Sequence, residues 1–389
     1  MKRYFILLFI ILSINIVYGQ EVTKNTADKL MSNTNAKVQI GGYAQIDYNQ
    51  PVNTGEFSNG NLDVHRLVLL FGYRFNERAN FVTEIEVEHV KEVFVEQAFL
   101  NYKILPWLDF RGGLMLVPMG IINEYHEPPT FNGVERPNLD SKVVPTTWRE
   151  IGAGFTGRFD NASLKYQLYV MNGFVGYNGE GTFRGTDGLR KGRQKGAESI
   201  MSSPTLSTKI DYYGIMGLKL GFSTYNGKSQ SSLYDGIEKE DDTAISSADS
   251  SVVGISMVGF DARYVIGGFE ARGQVNVTNL KNTDQYNHFT GKDLGSRLFG
   301  WYAEVGYNLL HSAETEHKLI PFIRYEIYNT HAKTEGASEI NDAFDRKDVT
   351  VGAGWWVSSG AVLKIDYQFL SSATGSSSGM FNMGIGIWF

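Results

Sequence analysis

Cysteine is absent from the 389 residues. That excludes disulfide bonds and attachment of a lipid through a cysteine thiol. Only 9 residues are proline. Beyond position 19 no apolar run approaches the ~20 residues of a spanning helix. Neither sign of charge is concentrated, since the net charge of −6 is spread along the whole chain, so no nucleic-acid partner is expected. The 7 histidines are scattered, and no pair has the spacing of a zinc hydrolase, so no metal, cofactor or enzymatic activity is expected.

Glycine and aromatics are plentiful instead: 43 Gly, 21 Tyr and 24 Phe. Lys2 and Arg3 precede the apolar run Tyr4 to Leu12, and a small residue, Gly19, follows Val17 and Tyr18. This is the order of a cleaved secretory signal over residues 1–19. The alternative, a membrane anchor, needs a longer run than one broken at Ser13 and Asn15. Residues 20–36 are polar and aperiodic and are read as a periplasmic linker. Residues 37–389 are read as an outer-membrane β-barrel, in which lipid touches every second side chain of each strand.

Period two carries that reading. Phe381, Met383, Ile385, Ile387 and Phe389 fall on one face, and Asn382, Gly384, Gly386 and Trp388 on the other. Leu164, Tyr166, Leu168 and Val170 alternate with Lys165, Gln167 and Tyr169 in the same way. About sixteen such segments recur, with centres at Gly42, Leu69, Ile85, Glu96, Gly112, Gly154, Gln167, Lys209, Leu220, Phe260, Gln274, Ala303, Ile323, Gly352, Ile365 and Ile385. Long polar connections alternate with short turns, apart from a short outer loop near His89–Glu92 and a long turn near Leu310–His317. A barrel with outer loops on one rim and periplasmic turns on the other has this pattern. The expected class is therefore all-β, a transmembrane antiparallel barrel. Tyr48, Tyr73, Tyr102, Trp107, Tyr225, Tyr307, Tyr328 and Trp355 lie near segment ends, where interfacial girdles sit. The fourth to seventh outer loops, rich in Gly, Ser, Asn and charge, read as flexible and solvated.

The third long connection, 117–147, differs from the rest. It mixes Ile121, Ile122, Phe131, Val143 and Val144 with five prolines, a composition that can hold its shape against an apolar surface. It is predicted to fold into the lumen and narrow it, the alternative being a folded outer cap. Its pieces are Pro118–Gly120, Glu124–Pro129, Gly133–Pro137, Pro145–Glu150 and Gly152–Gly154. With Gly41-Gly42-Tyr43, His65-Arg66-Leu67 and Glu96–Leu100, they resemble the phosphate-selective porin O/P family. The resemblance implies a sixteen-stranded, trimeric barrel with an inward third loop and diffusion of small anions. It also implies a terminal aromatic read by the outer-membrane assembly machinery.

The candidate constriction and solute-contacting residues are Glu124, His126, Glu127, Glu135, Arg136 and Lys142 on the loop, with Arg149 at its exit. On the wall they are Arg66, Arg74, Arg111 and Arg158, expected to face the acidic loop as one basic cluster and set up a transverse field. Alternation also turns Lys165, Lys209, Lys219, Arg263, Arg272, Arg324 and Lys364 inward. Against them stand Glu84, Glu86, Asp211, Asp261, Glu304, Glu326 and Asp366. Passage of small polar or anionic solutes is the expected function. A non-conducting adhesin and a barrel-borne hydrolase are the alternatives.

Overall fold

Alternation in the sequence becomes a closed ladder because successive side chains of a strand point to opposite faces. The computed structural model describes residues 25–32 and 36–389. The expected signal, residues 1–19, lies outside the described residues, as do 20–24 and 33–35 of the expected linker. The barrel strands, in chain order, are β1 Val38–Val52, β2 Asn61–Arg74, β3 Ala79–Glu88, β4 Glu92–Leu105, β5 Leu108–Leu116 and β6 Arg149–Phe159. They continue with β7 Leu164–Met171, β8 Thr205–Ile215, β9 Leu218–Lys228, β10 Gly254–Ile266 and β11 Phe269–Lys281. The last five are β12 Arg297–Tyr307, β13 Lys318–Lys333, β14 Asp345–Ser358, β15 Ala361–Ser372 and β16 Ser377–Trp388. Each pairs antiparallel with its sequence neighbours, and β1 closes on β16 from Tyr43↔Trp388 to Val52↔Gly379. Closure leaves no strand edge unpaired. Each predicted centre falls inside one of these strands.

Burial follows the pleat. On β7, Leu168 and Val170 are exposed while Gln167 and Tyr169 are buried; on β16, Met383, Ile385 and Ile387 are exposed and Asn382 is buried. The outer surface is thus apolar and the inner face polar. Water is a poor solvent for that surface, at about 25 cal/mol per Å² of apolar area. Among the described residues no helix is long and apolar enough to cross a membrane. At the short-turn rim Trp107, Phe159 and Tyr166 stack with centroids 5.6 and 5.3 Å apart, as an interfacial girdle would.

One expectation gains detail and two are corrected. Within the expected linker, Thr26–Ser32 is helical, too short for a 3.6-residue period to be legible. Its Ala27 is buried, and Lys29 Nζ lies 3.2 Å over the Trp388 ring. Tyr225 and Tyr328 are not girdle residues; both are buried on the inner face, donating to Glu150 and Asp348 at 2.8 Å. The fourth long connection, 172–204, is not a solvated loop. Phe174, Phe183 and Leu189 join a buried cluster with Trp148 and Tyr286, and Val175–Tyr177 pairs with Gln230–Ser231 of the next long connection. Its apolar side chains find a partner surface that the polar residues around them obscured.

Candidate functional site

The segment between β5 and β6 is held by side chains from strands all round the ladder. Its apolar groups come first: Val117, Met119, Leu139, Val143, Val144 and Trp148 enter the main buried cluster. Its prolines and short turns leave many backbone groups without helical or strand partners. Buried, each must find one elsewhere.

The wall supplies them. Lys209 on β8 donates to Gly120 O at 2.7 Å and to Glu124 Oε2 at 2.6 Å, and Gln167 on β7 donates to Glu124 Oε1 at 2.7 Å. Gln274 on β11 accepts from the Ile121 N–H at 2.9 Å and donates to Asp140 Oδ1 at 2.8 Å. Lys364 on β15 donates to three carbonyls, those of Pro128, Phe131 and Gly133, at 2.6, 2.6 and 2.8 Å. Two residues on, Asp366 accepts from the Val134 N–H at 2.6 Å. Glu326 on β13 accepts from the Leu139 N–H at 3.1 Å, and Asp348 on β14 from the Asn138 side chain at 2.9 Å. Lys219 on β9 donates to the Tyr125 hydroxyl at 3.0 Å.

His126 anchors the segment to the near wall. Its Nε2 lies 3.5 Å from Glu84 on β3 and 3.3 Å from Glu96 on β4, with the ring 2 % exposed. Burial would push this imidazole down, but hydrogen bonds and charge from the two carboxylates hold it up at about 10. Glu124 behaves oppositely: despite burial, the Lys209 ammonium holds it below the usual carboxylate range.

The other candidates separate. Glu127 is buried, and Glu135 is half-buried, accepting from Asn49 at 3.0 Å. Arg136 donates to His126 O at 3.2 Å, and Lys142, half-buried, ends the helical turn Leu139–Lys142. Arg149 pairs with Glu96 at 3.2 Å. The four wall arginines do not form one cluster. Arg66 pairs with Glu86 at 3.2 Å, whereas Arg74 ends β2 beside Leu30 and Met31 of the N-terminal helix. The two are eight positions apart on one strand, roughly 26 Å of rise. Arg111 donates to Asn101 at 3.1 Å and Arg158 sits 3.4 Å from Asp160 near the short-turn rim. Alternation assigns a face and leaves height along the strand undetermined.

Two different basic groupings emerge from the register. Arg158 stands opposite Lys165, Lys219 opposite Arg263, and Arg263 opposite Arg272. Like charges directly opposite are destabilising, and carboxylates stand beside several of these cations. Lys219 lies 3.3 Å from Asp211 and Arg272 3.1 Å from Glu304. Arg263 packs its guanidinium 4.0 Å from the Tyr125 ring, and its Nε and Nη2 are buried with no hydrogen-bond partner.

No family model matches the chain. An uncharacterized protein of Aquifex aeolicus (strain VF5) is 33% identical over 341 residues, covering 85% of this chain and 75% of that protein. The chain belongs to that protein's family. Among solved structures it is similar to an anion-selective porin from Comamonas acidovorans, with 12% identity and a TM-score of 0.58 over 90% of this chain and 99% of that one. It is also similar to the outer membrane channel DcaP of Acinetobacter baumannii, with 11% identity and a TM-score of 0.57 over 90% and 97%. At such identities the likeness is one of fold: a closed antiparallel barrel of sixteen strands.

Proposed function

We propose that the chain is an outer-membrane porin for passive diffusion of small polar solutes, with anions preferred and the 117–148 segment lying across the lumen as its constriction. The observation that carries this reading is the distribution of anchors. Carboxylates of β3 and β4 flank His126 of the segment on one side, and hydrogen bonds reach it from β8, β11, β13 and β15 on others. A cap resting on one rim would meet strand ends and not wall side chains of so many strands.

Anion preference rests on the in-register run Lys219, Arg263 and Arg272 and on the separate pair Arg158 and Lys165, not on Arg66, Arg74 and Arg111. Cationic groups lining a pore attract anions, and phosphate, the solute implied by the porin O/P resemblance, is one such anion. Export by a cleaved signal, contact with outer-membrane lipid and a homotrimeric state belong to the same proposal. The test is conductance across a planar bilayer with a salt gradient. Ohmic steps with a reversal potential of anionic sign support the reading; a cationic sign refutes the preference.

One observation favours a second reading. The buried apolar cluster that joins Val117 and Trp148 to Phe174, Phe183 and Leu189 packs two connections together, as a closed structural barrel would. Absence of conductance with an intact barrel spectrum would decide for it.

A further inference from the structure

At the rim bearing the long connections lies a group of side chains that the anchored segment does not use. Asp47 on β1 and Asp63 on β2 are opposite in register, and His65 follows two residues on. A break in that register between Gln45 and Asp47 shifts the pairing beside them. His65 Nδ1 lies 2.8 Å from Asp47 Oδ2, and His89 Nδ1 contacts Asp63 Oδ2. The two imidazole centroids are 5.6 Å apart. One ligand atom from each of Asp47, Asp63 and His65 falls within 4.8 Å of the others.

His89 is delivered by an unusual turn. It and Val90 have φ of 52° and 62°, and Lys91 N–H donates to Glu88 O at 3.1 Å, closing a left-handed turn in the three-residue connection between β3 and β4. Such turns ordinarily carry Asn-Gly. A non-glycine residue is uncommon in this region, and a branched one such as Val90 is rarer still. The strained pair holds the ring of His89 against Asp63. Burial is graded across the group: the Asp47 side chain is 1% exposed and that of His89 49%. A deep carboxylate and an accessible imidazole leave a route in from solution.

We infer that Asp47, Asp63, His65 and His89 form a site for one divalent transition-metal cation of the zinc class. Two imidazole nitrogens and two carboxylate oxygens are the donor set that such a borderline ion takes. Asp47, Asp63 and His65 supply three donors already near one another, and His89, in contact with Asp63, would swing in as the fourth of a tetrahedral set. The ion neutralises two carboxylates and ties β1, β2 and the β3–β4 hairpin together. No metal-ligand spacing was legible in the chain because Asp47, Asp63 and His89 are brought together by strand pairing alone.

The test uses the full untagged chain folded in detergent, with Zn²⁺ alone as probe against a chromophoric chelator. One Zn²⁺ per chain is expected, with binding weakened at least about tenfold in His65→Ala and in His89→Ala. X-ray absorption of the bound ion should show two imidazoles. Asp63→Asn serves as a further variant should either histidine change impair folding. No competition by the wild type, equal binding by the double histidine variant, or an absorption spectrum without imidazole overturns the inference.

Discussion

Lys364→Met would remove one ammonium and leave the carbonyls of Pro128, Phe131 and Gly133 without their donor. A hydrogen bond to a charged group contributes about 1.5–3 kcal/mol. Three of them do not simply add, because the ammonium is buried and its desolvation is recovered when it is removed. Breaking a buried charged network from one side costs about 3–5 kcal/mol. At 1.4 kcal/mol per factor of ten, the time the segment spends detached should rise by roughly two to three and a half powers of ten. Two assays read this. Tryptic cleavage at Lys142–Val143, located by mass spectrometry, should accelerate, since cleavage tracks the population of the open form. Single channels should also show larger conductance and more open-state noise. The heat-modifiable barrel band on a gel controls for loss of the wall itself. Cleavage and conductance indistinguishable from wild type, with the barrel intact, would refute the claim that Lys364 holds the segment.

Arg263→Ala should move the reversal potential in a salt gradient toward cation preference, while Arg74→Ala, remote from the segment, should leave it unchanged. The His126 anchor should be pH-dependent. Its imidazole is raised from 6.5 to about 10 by Glu84 and Glu96, so its contribution is complete below about 6.5, declines as pH rises and is gone above about 10. Open-channel noise in the wild type should therefore grow with pH over that window, and His126→Gln should flatten the slope. Gly113→Ala should lower refolding yield in detergent. Its φ of +136° disfavours a side chain, and a Cβ there would meet Ala98 O at 2.2 Å, so a loss of at least about 1–2 kcal/mol is expected.

How much of this was legible before folding depends on which physical signal each part leaves. The wall left a strong one: residues such as Leu168 and Gln167 alternate because one meets an apolar environment and the other a polar interior, and all sixteen strands follow from that. The inward charges Lys209, Arg324, Lys364 and Asp366 were visible by the same rule. What alternation cannot encode is height and opposition. Arg66 and Arg74 share a face yet sit far apart along β2, and Arg263 meets Arg272 only through a register that no local pattern reports. The 172–204 connection was misjudged because Phe174, Phe183 and Leu189 are single apolar residues among polar ones, without a period to reveal a common partner.

The ammonium of Lys364 lies 231 to 236 positions downstream of the carbonyls it gathers, and Asp366 lies 232 beyond Val134. A stretch made early in synthesis thus takes its final form from the penultimate strand. Contacts so distant in sequence form late and slowly. On the proposed reading, the cylinder is a mould that must close before its filling can set. Any truncation that spared residues 117–148 but removed β15 would leave a stretch with the right composition and no shape to copy.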